Sequence, residues 1–333
     1  MTVLITGCAG FIGFHVAGRL LGRGEQVVGI DNLNDYYSPK LKNDRLSSLR
    51  GRFADTFAFR QVDFADAAAL KDALAGLGIR AVVHLGAQAG VRYSLTHPEV
   101  YIQSNLVGHA NILEFCRHAP GLRHLVYASS SSVYGSNEKL PFSVEDRVDH
   151  PVSLYAATKK SVELLSESYS HLYRLPQSGL RFFTVYGPWG RPDMAMWLFT
   201  EAILAGRPIK VFNHGDMRRD FTFIDDIVNG IVACLDSPPA DDGQPKAGGS
   251  RSPHRLYNIG NSRSEPLLHM IEVLEAALGR KAVRDFQPIQ EGDVKDTFAD
   301  ISAIQRDLGY RPAATIEHGI PSFVDWYRRY HSL

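Results

Sequence analysis

Thr2-Val3-Leu4-Ile5-Thr6-Gly7-Cys8-Ala9-Gly10-Phe11-Ile12-Gly13 is a short apolar run that breaks into three glycines spaced three apart. A helical pattern follows through Leu20 and Leu21 and ends near Gly24, and a second strand, Gln26 to Ile30, stops at Asp31. The unit is strand, glycine turn, helix, strand, acid. Gly7, Gly10 and Gly13 permit a tight turn and close backbone approach, and the amides opening the helix at Phe11 and Ile12 face a pyrophosphate. Asp31 follows Gly13 by 18 positions. A carboxylate there accepts hydrogen bonds from an adenosine ribose and repels a 2′-phosphate, so the expected cofactor is NAD rather than NADP.

The same alternation continues outward. Phe59 to Asp63 reads as a third strand ending in an acid, with Asp63 placed for an adenine edge, for the cap of a helix from Ala65, or for both. Ala81 to Leu85 is apolar apart from His84, as in a parallel strand covered on both faces. Small residues from Gly86 to Gly90, Ala87 and Gln88 among them, let a cofactor pass close, and Arg92 is within reach of an anion. A helix from about Val100 to Cys116 carries Asn105, equally a structural amide or a cofactor contact. His124 to Ala128 is a fifth strand running into Ser129-Ser130-Ser131-Ser132, and hydroxyls at the carboxyl end of a parallel strand face the ligand crevice. Leu180 to Val185 is a sixth strand, leading into a loop from Tyr186 to Asp193 with one arginine, Arg191. Six strands alternating with helices specify an α/β fold, a doubly wound, Rossmann-like parallel sheet with right-handed crossovers.

Beyond that loop the pattern changes. Ile209 to Phe212 is a short strand, and Arg218-Arg219 suits a diphosphate, with a surface pair between Arg219 and Asp220 as the alternative. Residues 236–253 are rich in Pro, Gly and Asp and read as a mobile excursion. A strand over Leu256 to Ile259, a helix over Leu267 to Leu278, a polar loop (Gly292-Asp293-Val294 and Thr297 to Asp300) able to close over a ligand, and a last helix from about Thr315 to Tyr330 complete the chain.

The chemistry is concentrated in Tyr155-Ala156-Ala157-Thr158-Lys159. On a helix, residues four apart share a face, so Lys159 is the partner of Tyr155, whereas Lys160 is rotated away toward the surface. A free phenol has a pKa of about 10, and bringing it to about 7 takes about 4 kcal/mol of phenolate stabilisation. One cation at about 4 Å in an effective dielectric of about 20 supplies roughly that before desolvation. An oxidised nicotinamide ring would add a second positive charge. Ser130 stands 25 positions before Tyr155.

Composition excludes several classes. Lys+Arg and Asp+Glu both total 36, which gives no electrostatic case for nucleic acid or an anionic membrane. Three cysteines, far apart and odd in number, form no metal or disulfide pattern and point to a reducing cytoplasm. The histidines make no metal-binding cluster, no run of about 20 apolar residues exists to span a membrane, and the N-terminus has no cleavable leader pattern.

Taken together, Thr6 to Gly13, Asp31, Asp63, Ser129 to Gly135, the Tyr155/Lys159 pair and Arg219-Asp220-Phe221 resemble the extended short-chain dehydrogenase/reductases that act on nucleotide sugars. Within them the chain looks most like the UDP-glucuronate 4-epimerases, through Gln88 to Ser94, Leu154 to Lys160, Phe182 to Met194 and Phe212 to Ile227. The departures are Gly86, where an alanine is usual, and the 236–253 excursion. The resemblance implies a cofactor domain of 1–182 plus about 223–260 and a smaller mixed nucleotide-sugar domain of about 183–222 plus 261–333. It implies Tyr155 as base, Lys159 as the residue that lowers its pKa and binds the nicotinamide ribose, and Ser130 as a hydrogen-bond partner of the sugar O4. Asn32, Phe64 and Leu85 join the cofactor contacts, and Val211, Phe212, Arg219 and Asp293 those of the nucleotide sugar. Arg191, Thr184, Ser131 and Ser132 would hold a uronate carboxylate, and a neutral hexose would leave Arg191 unpaired. The resemblance also implies a cytoplasmic homodimer formed through the Tyr155 helix. On the same scaffold, a UDP-glucuronate decarboxylase or a neutral UDP-hexose 4-epimerase are the enzyme alternatives. A 4,6-dehydratase would place an Asp-Glu pair where Ser131 and Ser132 stand, and a non-catalytic NAD-binding scaffold is the alternative from another class.

Overall fold

The structure, a computed structural model, describes residues 1–290 and 294–333. Its centre is a parallel sheet of seven strands: β1 (Thr2–Thr6), β2 (Gln26–Asp31), β3 (Phe57–Gln61), β4 (Ala81–His84), β5 (His124–Ser130), β6 (Gln177–Phe182) and, after four shorter strands, β11 (His254–Ile259). Their spatial order is β11-β6-β5-β4-β1-β2-β3. The order reverses between β1 and β4, and in such sheets the crevice at the carboxyl ends beside that reversal binds ligands. Both faces are covered. Leu4, Val28, Val82 and Leu125 pack under Leu70, Ile112 and Leu113 on one side. Val3, Ile5, Val83 and Val126 pack with Phe14, Ala17, Ile227 and Ile231 on the other. This double burial is why these strands are continuously apolar rather than alternating.

The turn after β1 shows why its glycines are needed. Gly7 has φ +66°, and a Cβ on it would lie 2.8 Å from the Gly86 Cα, so the ends of β1 and β4 come together only without side chains. A Cβ on Gly13 would lie 2.2 Å from the Gly7 carbonyl oxygen, so helix α1 (Phe11–Gly22) could not seat on the turn.

Three sequence expectations are corrected. The run Leu180 to Val185 is not one strand: β6 ends at Phe182, and Thr184–Tyr186 (β7) leaves the sheet to pair in parallel with Phe221–Phe223 (β10). This peel-off carries Arg191 away from the sheet and over the crevice. The helix expected over Val100 to Cys116 is split into Pro98–Tyr101, a π-helical turn Ile102–Val107 and Gly108–His118. Finally, residues 236–253 are fastened. Arg174 pairs with Asp241, Glu167 accepts from Ser250 at 2.9 Å, Glu145 accepts from the Gly248 amide at 3.0 Å, and Ala247 is buried. Loop-like composition marks lack of periodicity, and here the polar groups find partners on surrounding segments.

The smaller layer is built from Ile209–Val211 (β8), Arg218–Arg219 (β9), Glu265–Pro266 (β12) and Arg284–Phe286 (β13) in two-stranded pieces, β8 with β13 and β9 with β12. Helix Leu267–Leu278 packs against β12, and helix Ile316–His331 packs against that helix and β10. Among the described residues, no helix is long and apolar enough to cross a membrane.

Candidate active site

A cavity of about 950 Å³ runs from the glycine turn, past the ends of β4 and β5, to β8 and the loop after β7. Its walls include Gly7, Gly10, Phe11, Ile12, Gly13, Asp31, Asn32, Phe64, Leu85, Ala87, Gln88, Arg92, Ser130, Ser131, Ser132, Tyr155, Lys159, Thr184, Arg191, Phe212 and Arg219. Among the described residues, three that were expected, Asp63, Asn105 and Val211, are not in that wall. Asp63 accepts from the Asn32 side chain at 3.0 Å and the Ala65 amide at 2.8 Å, while the cap of the next helix is Asp66. Asn105 is a structural amide: its oxygen takes the Gln88 amide at 2.8 Å, and its nitrogen donates to the Gln88 carbonyl and Thr158 hydroxyl, each at 3.0 Å. Val211 is fully buried behind Phe212. Asp293 lies outside the described residues.

At the cofactor end, α1 starts at Gly10 with no side-chain cap and no acid in its first turn, leaving its amides and positive end to the cavity. Asp31 is almost wholly buried and accepts from the Leu33 amide at 2.9 Å and the Ala9 amide at 3.2 Å. Burial pushes its carboxyl pKa up against Lys42, those two amides and Arg45.

The helix carrying Tyr155 and Lys159 (Leu154–Tyr173) begins at Ser153, whose hydroxyl accepts the Ala156 amide at 3.1 Å. That cap sets the phase that turns both side chains to the cavity. Lys159 is buried and donates to the Ala128 carbonyl at 2.8 Å, at the end of β5. Burial lowers its pKa to about 8, with the Glu163 charge one turn on opposing the drop. The Tyr155 phenol does not show the lowered pKa expected from Lys159. Burial raises it, and the groups that oppose the rise are the Ser130 hydrogen bond and the charge of Arg191. The reason is that desolvation of a phenolate at this buried position outweighs those two groups.

Arg191 is also not as expected. Its Nε donates to Asp193 Oδ1 at 3.0 Å and its Nη2 to Asp193 Oδ2, so it already has a carboxylate partner two residues away. The argument that a neutral sugar would leave it unpaired therefore fails. At the far end, the Arg92 guanidinium lies 5.0 Å from the Phe212 ring centroid, a cation–π contact that stiffens that wall.

Sequence reasoning missed the groups that brace these walls. Arg45 is wholly buried and donates to the Ala9, Trp189 and Gly190 carbonyls, tying the glycine turn to the Arg191 loop. His15 meets the Pro188 carbonyl of that loop at 2.9 Å. Glu163 forks onto Arg181 at 2.8 and 2.9 Å and accepts the Ser129 hydroxyl at 2.7 Å. Tyr36 donates to Asp193 at 3.1 Å across the crevice. The one available signal was the charge pattern of Arg191 and Asp193 within a single short loop; the others unite segments far apart in the chain.

Residues 3–260 match the model of the NAD dependent epimerase/dehydratase family. The chain is 46% identical over 342 residues to the probable UDP-glucuronate 4-epimerase of Rhizobium meliloti, covering 100% of this chain and 99% of that one. It is 48% identical to protein CapI of Staphylococcus aureus, covering 99% of each. The crystal structure of UDP-glucuronic acid 4-epimerase from Bacillus cereus in complex with UDP-glucuronic acid and NAD superposes with a TM-score of 0.86 at 33% identity, covering 99% of this chain and 100% of that one. With a family match over more than half its length and relatives of this identity end to end, the chain belongs to the NAD dependent epimerase/dehydratase family.

Proposed function

We propose that this protein interconverts UDP-glucuronate and UDP-galacturonate by oxidising and re-reducing C4 of the sugar. The observation that carries the reading is that Tyr155 and Ser130 share one cavity with the bare amino end of α1 and with Arg191, Thr184, Ser131 and Ser132. Relatives bearing this activity at 46% identity over the full length support it.

The residues fit NAD. The glycine turn has no room for side chains, the uncapped α1 presents amides to a pyrophosphate, and Asp31 is an ionisable acceptor that disfavours a 2′-phosphate. When bound, NAD would supply a hydride acceptor for C4 and a positive charge beside the phenol in its oxidised form, and a hydride donor to the opposite face of C4 in its reduced form, with no net change over a turnover. Tyr155 takes the O4 proton as C4 is oxidised and returns it as C4 is reduced. Ser130 hydrogen-bonds O4 and lowers the cost of the phenolate. Lys159 holds Tyr155 and the nicotinamide ribose in register. Arg219 and Arg92 take the diphosphate, and Phe212 packs at that end. The planar 4-keto sugar must then present its other face. A 4-keto uronate is a β-keto acid, so Arg191, Thr184, Ser131 and Ser132 must keep the carboxylate bond out of line with the carbonyl π system.

NMR of the products formed from UDP-glucuronate without added NAD tests this. UDP-galacturonate is expected; a UDP-pentose with CO2 release, or turnover of UDP-glucose alone, overturns the assignment. A second copy of the chain is the expected partner, since Leu164, Leu172 and Tyr173 on the Tyr155 helix and Ile102 and Val107 on its neighbour are exposed. A purely monomeric species in sedimentation at micromolar concentration would exclude it.

A further inference from the structure

Arg191 meets the cavity with two of its donors already engaged. Asp193 takes Nε and Nη2 in the forked geometry that a substrate carboxylate would otherwise occupy. The pair is partly exposed, 23% for Arg191 and 29% for Asp193, so water and a ligand can both reach it from the cavity. A second contact draws on the same carboxylate: the Tyr36 hydroxyl, from the loop after β2, donates to Asp193 Oδ2. Tyr36 is itself wedged against Gly90, where a Cβ would come within 2.6 Å of its hydroxyl, and against Tyr93, with ring centroids 4.9 Å apart. Asp193 is thus held from both sides of the crevice.

We propose that Asp193 is a specificity-determining positioning residue whose carboxylate occupies the Arg191 fork, so that a uronate carboxylate is held by a partly neutralised guanidinium and can be released as the sugar turns over. The idea rests on the uronate reading above. An arginine with no counterion would bind the carboxylate most tightly in one orientation. Epimerisation requires the same sugar to be held in two orientations, with the carboxylate at a different place in each. Binding that favours one ground state over the other raises the barrier between them. Two carboxylates on one guanidinium each weaken the other, and the Tyr36 hydrogen bond sets how much of the Asp193 charge falls on Arg191. The unliganded enzyme gains as well, because Arg191 does not stand as a lone cation in a half-buried wall.

The test is calorimetric affinity for UDP-glucuronate and UDP-glucose, with kcat alongside, on NAD-loaded wild type, Asp193→Asn, Asp193→Glu and Tyr36→Phe. In Asp193→Asn, UDP-glucuronate should bind about 3- to 10-fold tighter while kcat falls by about 10-fold. UDP-glucose affinity should stay unchanged, and Asp193→Glu should return both glucuronate values toward wild type. Tyr36→Phe leaves more of the Asp193 negative charge to neutralise Arg191, so UDP-glucuronate should bind about 2-fold weaker, the opposite sign. Equal or weaker glucuronate binding in Asp193→Asn overturns the proposal. If Asp193→Asn does not fold, unchanged or tighter binding in Tyr36→Phe does the same. Should the wild type make no UDP-galacturonate, the function assignment fails alone, because the affinity changes are read without turnover.

Discussion

Two arginine–carboxylate pairs serve the Tyr155 helix and the cavity it faces, and they differ in exposure. Glu163, on the helix itself, and Arg181 of β6 form a rear pair, 2% and 1% exposed, while Arg191 and Asp193 form a front pair in the cavity wall, at 23% and 29%. The rear pair is saturated. Glu163 takes Arg181 through both oxygens and Ser129 besides, and Arg181 also donates to the Tyr134 hydroxyl at 3.0 Å. Nothing can compete for those groups without unpacking β5, β6 and the helix. The front pair opens on the cavity, where a ligand's charge can enter. Identical chemistry becomes a strut when dry and an adjustable contact when wet.

Removing the phenol between them should have the largest effect and shows what the pairs are not. Tyr155→Phe keeps both pairs and should lower kcat by about 10²- to 10⁴-fold, the usual worth of a general base, with NAD retained and melting temperature unchanged. Turnover close to wild type would mean that Tyr155 is not the base and that the site's chemistry lies with other groups.

The next effect separates the pairs directly. Glu163→Gln leaves Arg181 charged and unpaired in the core, a loss of about 3–5 kcal/mol. Asp193→Asn, in a pair that water reaches, should cost less than about 1 kcal/mol. Urea unfolding of the two variants measures the difference, and equal losses would end the distinction between strut and adjustable contact.

How much of this could be read from the chain follows the same division. The glycine turn, Asp31, Ser130 and the Tyr155/Lys159 face are local: their spacing along one segment places them, and the structure puts them in one cavity. Glu163 and Arg181 carry no such mark, because charged residues in a helix and a strand look solvent-facing until tertiary packing brings them together. Arg45 is similar, an ordinary basic residue on a polar helix that proves fully buried against three carbonyls of two distant loops. The splitting of β6 from β7 was hidden because an apolar run reads the same within one sheet or across two. The surroundings of the Tyr155 phenol were legible only in part. Spacing shows that Lys159 is near, but not that its ammonium is committed to the Ala128 carbonyl.

The smallest predicted effect tests whether the rear strut also acts on the chemistry. Lys159 has its pKa lowered from 10.5 to about 8, with burial the main cause and the Glu163 charge the opposing one. Between pH 8 and 10.5 the unfolded chain binds a proton at this lysine that the folded chain has lost. The cost of burying the ammonium is therefore present in full below pH 8 and is relieved as pH rises through that window. Activity runs the other way: if the ammonium supports Tyr155, kcat/KM falls as pH rises past the folded pKa. Glu163→Gln removes the charge that favours the ammonium, so the alkaline limb should move to lower pH by an amount of order one unit. Asp193→Asn should leave that limb in place, since its charge acts on Arg191 and not on Lys159. A limb that stays put in Glu163→Gln, or moves upward, would reduce Glu163 to a structural role. A limb that moves in both variants would show the two pairs to be electrostatically one.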